Sequence, residues 1–214
     1  RLRSASELIR SGHCDGAFDV LIALVREYPS LAAAYGLLVE VEVARSNLQS
    51  AAAAAQQWVA MDTGDARSWT RLAQIYTAQG QWLRAVPPYR RAMVLSPDNL
   101  QIIAELARAS LAAQLFDDAE LLLEQAIERL GNREELLVVA GHIAKAKGSF
   151  ESAAGLYQRA LRLSPGNSEA WFNLVDLDTP AVDSDVTRSL AVMINSGLLS
   201  DADRANLNFA LARI

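Results

Sequence analysis

The chain of 214 residues has one cysteine and two histidines, and these absences exclude most site chemistry. One cysteine forms no internal disulfide. Two distant histidines, His13 and His142, with Cys14 make no zinc set. No Asn-x-Ser/Thr acceptor occurs, and no apolar run reaches the roughly 20 residues needed to cross a bilayer. Prolines number six, and β-branched runs are few. The net charge of −5 is dispersed rather than blocked, which argues against a nucleic-acid surface. A reducing cytoplasm is the simplest expected home, with no membrane insertion. About half of the residues are apolar, with alanine and leucine prominent, as in soluble all-helical proteins.

What is present is periodic. Ala17, Ala51, Ala85, Ala119 and Ala153 recur at intervals of 34 residues. Gly12, Gly80 and Gly148 precede the alanine, and Pro29, Pro97 and Pro165 follow it, each at a fixed distance. The clearest copy, Ala66 to Asn99, carries Trp69, Leu72, Ala73 and Tyr76 at helical spacing, then Gly80. Trp82, Ala85, Tyr89 and Ala92 form the stripe of a second helix, which Pro97 stops. Copies are expected over about 1–31, 32–65, 66–99, 100–133 and 134–167, with a sixth starting at 168, so that 1–177 is one array. Residues 178–214 read as irregular C-terminal helices: one over Ser184 to Asn195 ended by Gly197, and another capped by Ser200.

This pattern resembles the tetratricopeptide repeat family. The resemblance implies an all-α, right-handed superhelical solenoid of antiparallel helix pairs. A period of this size marks a solenoid in general, with repeats touching only their neighbours. Copy 32–65 departs most, with Ser46 at the glycine position, Glu42 for the first-helix tyrosine, and an exchange of volumes between Ala55 and Trp58 that reads as one compensated site. Cys14 stands where Leu48, Trp82, Phe116 and Phe150 stand, and is expected in the core. Pro87 and Pro88 fall inside the second helix of copy 66–99, where a kink is expected because each removes a backbone donor. The acidic group Asp176, Asp178, Asp183 and Asp185 lacks the glycine and glutamate of a helix-loop-helix calcium site and reads as turn and cap residues.

No catalytic, cofactor or metal site emerges from the residues. The string Leu199 to Ala212, ending in "FALA", resembles a segment of bacterial tetratricopeptide-repeat sulfotransferases. That would make the chain a substrate-positioning region whose catalytic domain lies elsewhere. Ile214 would then fall within a further first helix, and no phosphate-cradling loop is present, so the chain alone is expected to lack transferase activity. The favoured function is a non-catalytic scaffold binding a peptide segment or neighbouring domain. Self-association through solenoid ends is a third possibility.

In the family this resembles, repeat positions 2, 5, 6, 9 and 12 face the concave surface. Here they supply Arg67, Arg71, Gln74, Gln101, Arg108, His142 and Lys145 as candidate ligand-binding residues, with Thr70, Thr77, Glu105 and Glu135 beside them. The carboxylate clamp of chaperone-binding members is not reproduced: Thr70 and Gln74 are followed by Glu105. An acidic or phosphate-like segment is the expected ligand, with Arg108 central because arginine grips an oxyanion with two bonds. The alternative is that Arg71 pairs with Glu105 and the rest is solvated surface.

Overall fold

The computed structural model describes residues 1–177 together with residues 188, 191, 192, 194, 195, 204, 205, 207 and 208. The described residues form helices and no strands. These are α1 (Leu2–Arg10), α2 (Cys14–Glu27), α3 (Ala32–Ala44), α4 (Leu48–Met61), α5 (Ala66–Ala78), α6 (Trp82–Leu95), α7 (Leu100–Ala112), α8 (Phe116–Leu130), α9 (Glu134–Ala146), α10 (Phe150–Leu163) and α11 (Ser168–Asp176). Among the described residues no helix is long and apolar enough to cross a membrane. The chain divides into two compact units, Arg1–Ala109 and Ser110–Ile214.

In the first unit α1 packs on α2, α3 on α4 and α5 on α6, while α2 meets α3 and α4 meets α5. In the second unit α9 pairs with α10, α8 packs on α9, and α11 on α10. The recurring alanines explain how closely the helices approach. Ala17, Ala51, Ala85, Ala119 and Ala153 are all fully buried, each where a larger side chain would hold the helices apart. Around them the first unit buries Leu21, Val39, Ile75 and Tyr89, and the second buries Leu123, Leu137, Tyr157 and Trp171. Leu207 is buried in the second unit's core and Ile194 packs against it. The boundaries expected at Ser184, Gly197 and Ser200, the acidic residues Asp178, Asp183 and Asp185, and most of the Leu199 to Ala212 string lie outside the described residues.

The turn between the helices of each copy is one backbone motif repeated five times. The amide of His13 donates to the Leu8 carbonyl at 2.9 Å, Asn47 to Glu42 at 2.8 Å, Gln81 to Tyr76 at 2.8 Å, Leu115 to Ser110 at 2.8 Å, and Ser149 to Ala144 at 2.9 Å. This bond needs a left-handed residue just before its donor. Gly12, Gly80 and Gly148 supply it at φ of +78°, +70° and +79°. Ser46 and Gln114 take the same conformation at φ of +60° and +62°, although their Cβ atoms make it unfavourable. Ser46→Gly and Gln114→Gly should therefore each stabilise the chain by about 1 kcal/mol, the strain released less the glycine entropy. Urea titration checks this, and a loss of stability in both variants would contradict it.

First helices start on a second repeated device. Asp65 accepts from the Arg67 amide at 2.9 Å, Asn99 from Ile102 at 3.2 Å, and Asn167 from Ala170 at 2.8 Å, so one copy position caps three helices. Arg133 holds that position before α9 and makes no side-chain cap bond; Glu134 and Glu135 in the first turn complement the helix dipole instead.

One local expectation is corrected, and two other positions show how the packing accommodates them. The position shared by Cys14 and its equivalents is not core: each begins its second helix, at the rim of the pair, and Trp82 and Phe150 are exposed there. Helix α6 runs unbroken through Pro87 and Pro88. Pro88 is buried and Pro87 exposed, so packing of the inner ring holds the segment helical despite the two lost donors. Glu42, at the tyrosine position, is buried and pairs with Arg45 Nη1 at 3.4 Å. Arg45 also reaches Asp15 at 3.0 Å and lies 4.3 Å from the Phe18 ring centroid, which neutralises the carboxylate in place of an aromatic contact.

Candidate functional site

The first unit carries a cleft of about 400 Å³ on the face formed by α3, α5 and α7. Successive turns of α5 bring Arg67, Thr70, Arg71 and Gln74 to one wall, as three- and four-residue spacing requires. Gln101 and Glu105 of α7 and Glu40 of α3 also line it.

Trp58 lines the cleft as well, although it belongs to the second helix α4. Its ring passes over Gly36, where a Cβ would stand only 3.3 Å from the ring's Cη2 and Cζ2 atoms. Any other residue at position 36 would crowd that ring. Trp58 is half-buried, while Ala55 is fully buried. The pair is thus more than an exchange of volume within the core, since the tryptophan reaches the cleft. The sequence held the signal, a tryptophan at a small-residue position, but the exchange with Ala55 explained it as volume compensation alone.

The charges are more nearly balanced than the sequence suggested. Arg67 Nε and Nη2 bind the two oxygens of Asp65 at 3.0 and 3.1 Å. Partial burial works to raise the Asp65 carboxyl, yet its side-chain and backbone bonds from Arg67 hold it below the usual range. Glu105 pairs with Arg108 at 3.4 Å rather than with Arg71, and Arg108 lies outside the cleft lining. Arg71 Nη1 donates to Gln74 Oε1 at 3.2 Å and makes no ion pair among the described residues.

His142 and Lys145 belong to the second unit and form their own polar group. Lys145 Nζ donates to Asp176 Oδ2 at 2.6 Å and to Asn173 Oδ1 at 3.2 Å. His142 Nε2 lies 3.6 Å from Glu169 Oε1 and 3.3 Å from Asn173 Nδ2. These bonds tie α9 to α11. Among the described residues no group of three metal-ligating side chains converges.

Three solved structures share the fold. A tetratricopeptide repeat protein from Parabacteroides merdae aligns over 98% of this chain and 83% of its own, with a TM-score of 0.73 and 14% identity. PilF of Pseudomonas aeruginosa aligns over 97% and 95%, with a TM-score of 0.66 and 15% identity. YrrB, described as a TPR protein with an unusual peptide-binding site, aligns over 89% and 96%, with a TM-score of 0.60 and 15% identity. No curated protein matches the chain. Two tetratricopeptide repeat models match its sequence, one over residues 76–137 and the other over residues 2–66, 40–99 and 138–177. With the repeated turn, the repeated cap and the buried alanine ladder, these matches show that the chain belongs to the tetratricopeptide repeat family.

Proposed function

We propose that this chain is a non-catalytic protein-binding scaffold whose first unit takes an extended peptide segment in the cleft of α3, α5 and α7. The family fold supports the scaffold role in general terms. The observation that carries the finer reading is the Trp58 ring in the cleft beside Arg71. An aromatic surface gives an apolar side chain a large contact area at little entropic cost. Arg71 and Gln74 then hold a carboxylate or backbone carbonyls, and Thr70 and Gln101 add further polar contacts. Glu40 and Glu105 disfavour a run of acidic residues, so the fitting segment carries one carboxylate next to an apolar residue. YrrB supports the notion that this fold can hold a peptide outside the usual arrangement.

Selection of random peptides displayed on phage tests this directly. Peptides enriched on the wild-type chain should share an apolar residue and one Asp or Glu. Trp58→Ala and Arg71→Glu should each weaken them at least about tenfold, as hot-spot truncations do, with unchanged far-UV circular dichroism. Peptides that bind both variants as well as wild type would place the site elsewhere.

A further inference from the structure

The second unit carries a larger hollow, of about 640 Å³, among α8, α9 and α10. Leu123 and Ile127 of α8, Ile143 of α9 and Leu156 of α10 give it an apolar floor. It is open at Gly155 of α10, where a Cβ would meet nothing within 4 Å. A glycine in a helix interior weakens the helix, and here no close contact requires it. What its absent side chain leaves is room.

One wall is acidic in a regular way. Glu120, Glu124 and Glu128 stand four residues apart on α8 and all line the hollow. A rise of about 1.5 Å per residue puts such carboxylates about 6 Å apart along one edge. Glu120 is already engaged by Lys147, which also bonds Asp117 at 2.9 Å; these two acids hold the Lys147 ammonium above its ordinary range. Glu124 and Glu128 are exposed and make no ion pair among the described residues. Arg159 of α10 also lines the hollow, and its guanidinium donates to Asn132 Oδ1 at 2.6 Å.

We propose that this hollow is a second docking surface, which takes a basic amphipathic helix of a partner protein. Apolar side chains of that helix fill the floor beside Gly155. Lys or Arg residues four apart on its flank meet Glu124 and Glu128, whose spacing they match. The acidic edge beside an apolar floor selects this occupant over an acidic or uncharged one. The surface is separate from the peptide cleft of the first unit, so the two readings stand or fall independently.

The test uses the full chain and three synthetic peptides of Leu and Lys or Glu, followed by fluorescence anisotropy. One places Lys and Leu at helical amphipathic spacing, one scrambles that composition, and one replaces Lys by Glu. The first should bind, at least about tenfold more tightly than the other two, and weaken as salt screens the pairs. Glu124→Lys with Glu128→Lys should weaken it about tenfold, the order expected for two exposed pairs. Gly155→Leu should abolish binding while leaving the melting temperature equal or higher, because its Cβ meets nothing within 4 Å and leucine favours the helix more than glycine does. Trp58→Ala should leave this binding unchanged. Equal binding of the scrambled peptide, or binding that survives both the glutamate and the Gly155 substitutions, would overturn the proposal. So would concentration-dependent self-association in sedimentation that Gly155→Leu abolishes, since the hollow would then belong to a second copy of this chain.

Discussion

Replacing Trp171 with alanine should lower the stability of the second unit by about 4 kcal/mol, within the range for deleting a buried large aromatic. Trp171 is fully buried in a cluster with Leu137, Tyr157, Leu161, Leu174 and Leu207, drawn from several helices. Its indole N–H donates to the Pro165 carbonyl at 2.9 Å, across the turn that leads into α11. Trp69 makes the equivalent bond to the Thr63 carbonyl at 3.0 Å, but its ring is only half-buried. The two tryptophans thus share a polar contact and differ in apolar burial. Trp171→Ala should cost much more than Trp69→Ala, and Trp171→Phe should lie between, losing the bond and part of the ring. Urea titrations of the three variants would show this order. A loss below about 1 kcal/mol for Trp171→Ala would mean that the site collapses without a cavity.

Gly141→Ala is the second substitution with a large expected effect. A Cβ there would lie 2.4 Å from Tyr157 Cε1 and 2.8 Å from Cδ1 and Cζ, so α9 and α10 must separate or the ring must leave its rotamer. Alanine gains about 1 kcal/mol in helix propensity over glycine. Overpacking of this kind costs up to about 3 kcal/mol, so a net loss of about 2 kcal/mol is expected. The clash is with ring carbons, which sets the controls. Tyr157→Phe should be close to neutral, because the buried hydroxyl has no hydrogen-bond partner among the described residues, and it should not rescue Gly141→Ala. Tyr157→Leu should rescue at least half of the loss. Thermal melts of the single and double variants decide between this account and one based on backbone freedom alone, which predicts no rescue.

The two devices differ in how far the sequence disclosed them. The helix pairs were legible because the same small and large residues return at one interval, and a solenoid repeats its packing problem each time. Even the turns without glycine could be placed, since Ser46 and Gln114 fall where the neighbouring copies have glycine. The cleft was legible only along α5 and α7, where Arg67, Arg71, Gln74 and Gln101 do line one hollow. Arg108 could not be judged from spacing, because its role turns on which carboxylate it reaches, and it takes Glu105. For His142 and Lys145 spacing could not show the bonds they make to Asn173 and to the acids of α11, which depend on a helix outside the copy. Position 17 of the copies misled for a different reason. Its large apolar side chains promised burial, but helix N-termini leave them at the edge of the pair.

The approach of Trp58 to Gly36 ties the cleft to the helix packing beneath it. One ring forms part of the receiving surface and part of the joint between α3 and α4. A side chain at position 36 would press on the ring, so a substitution at either position alters the same wall of the cleft. On the reading of the cleft as a peptide site, its selectivity would rest on a pair of residues carried by two helices, Gly36 of α3 and Trp58 of α4.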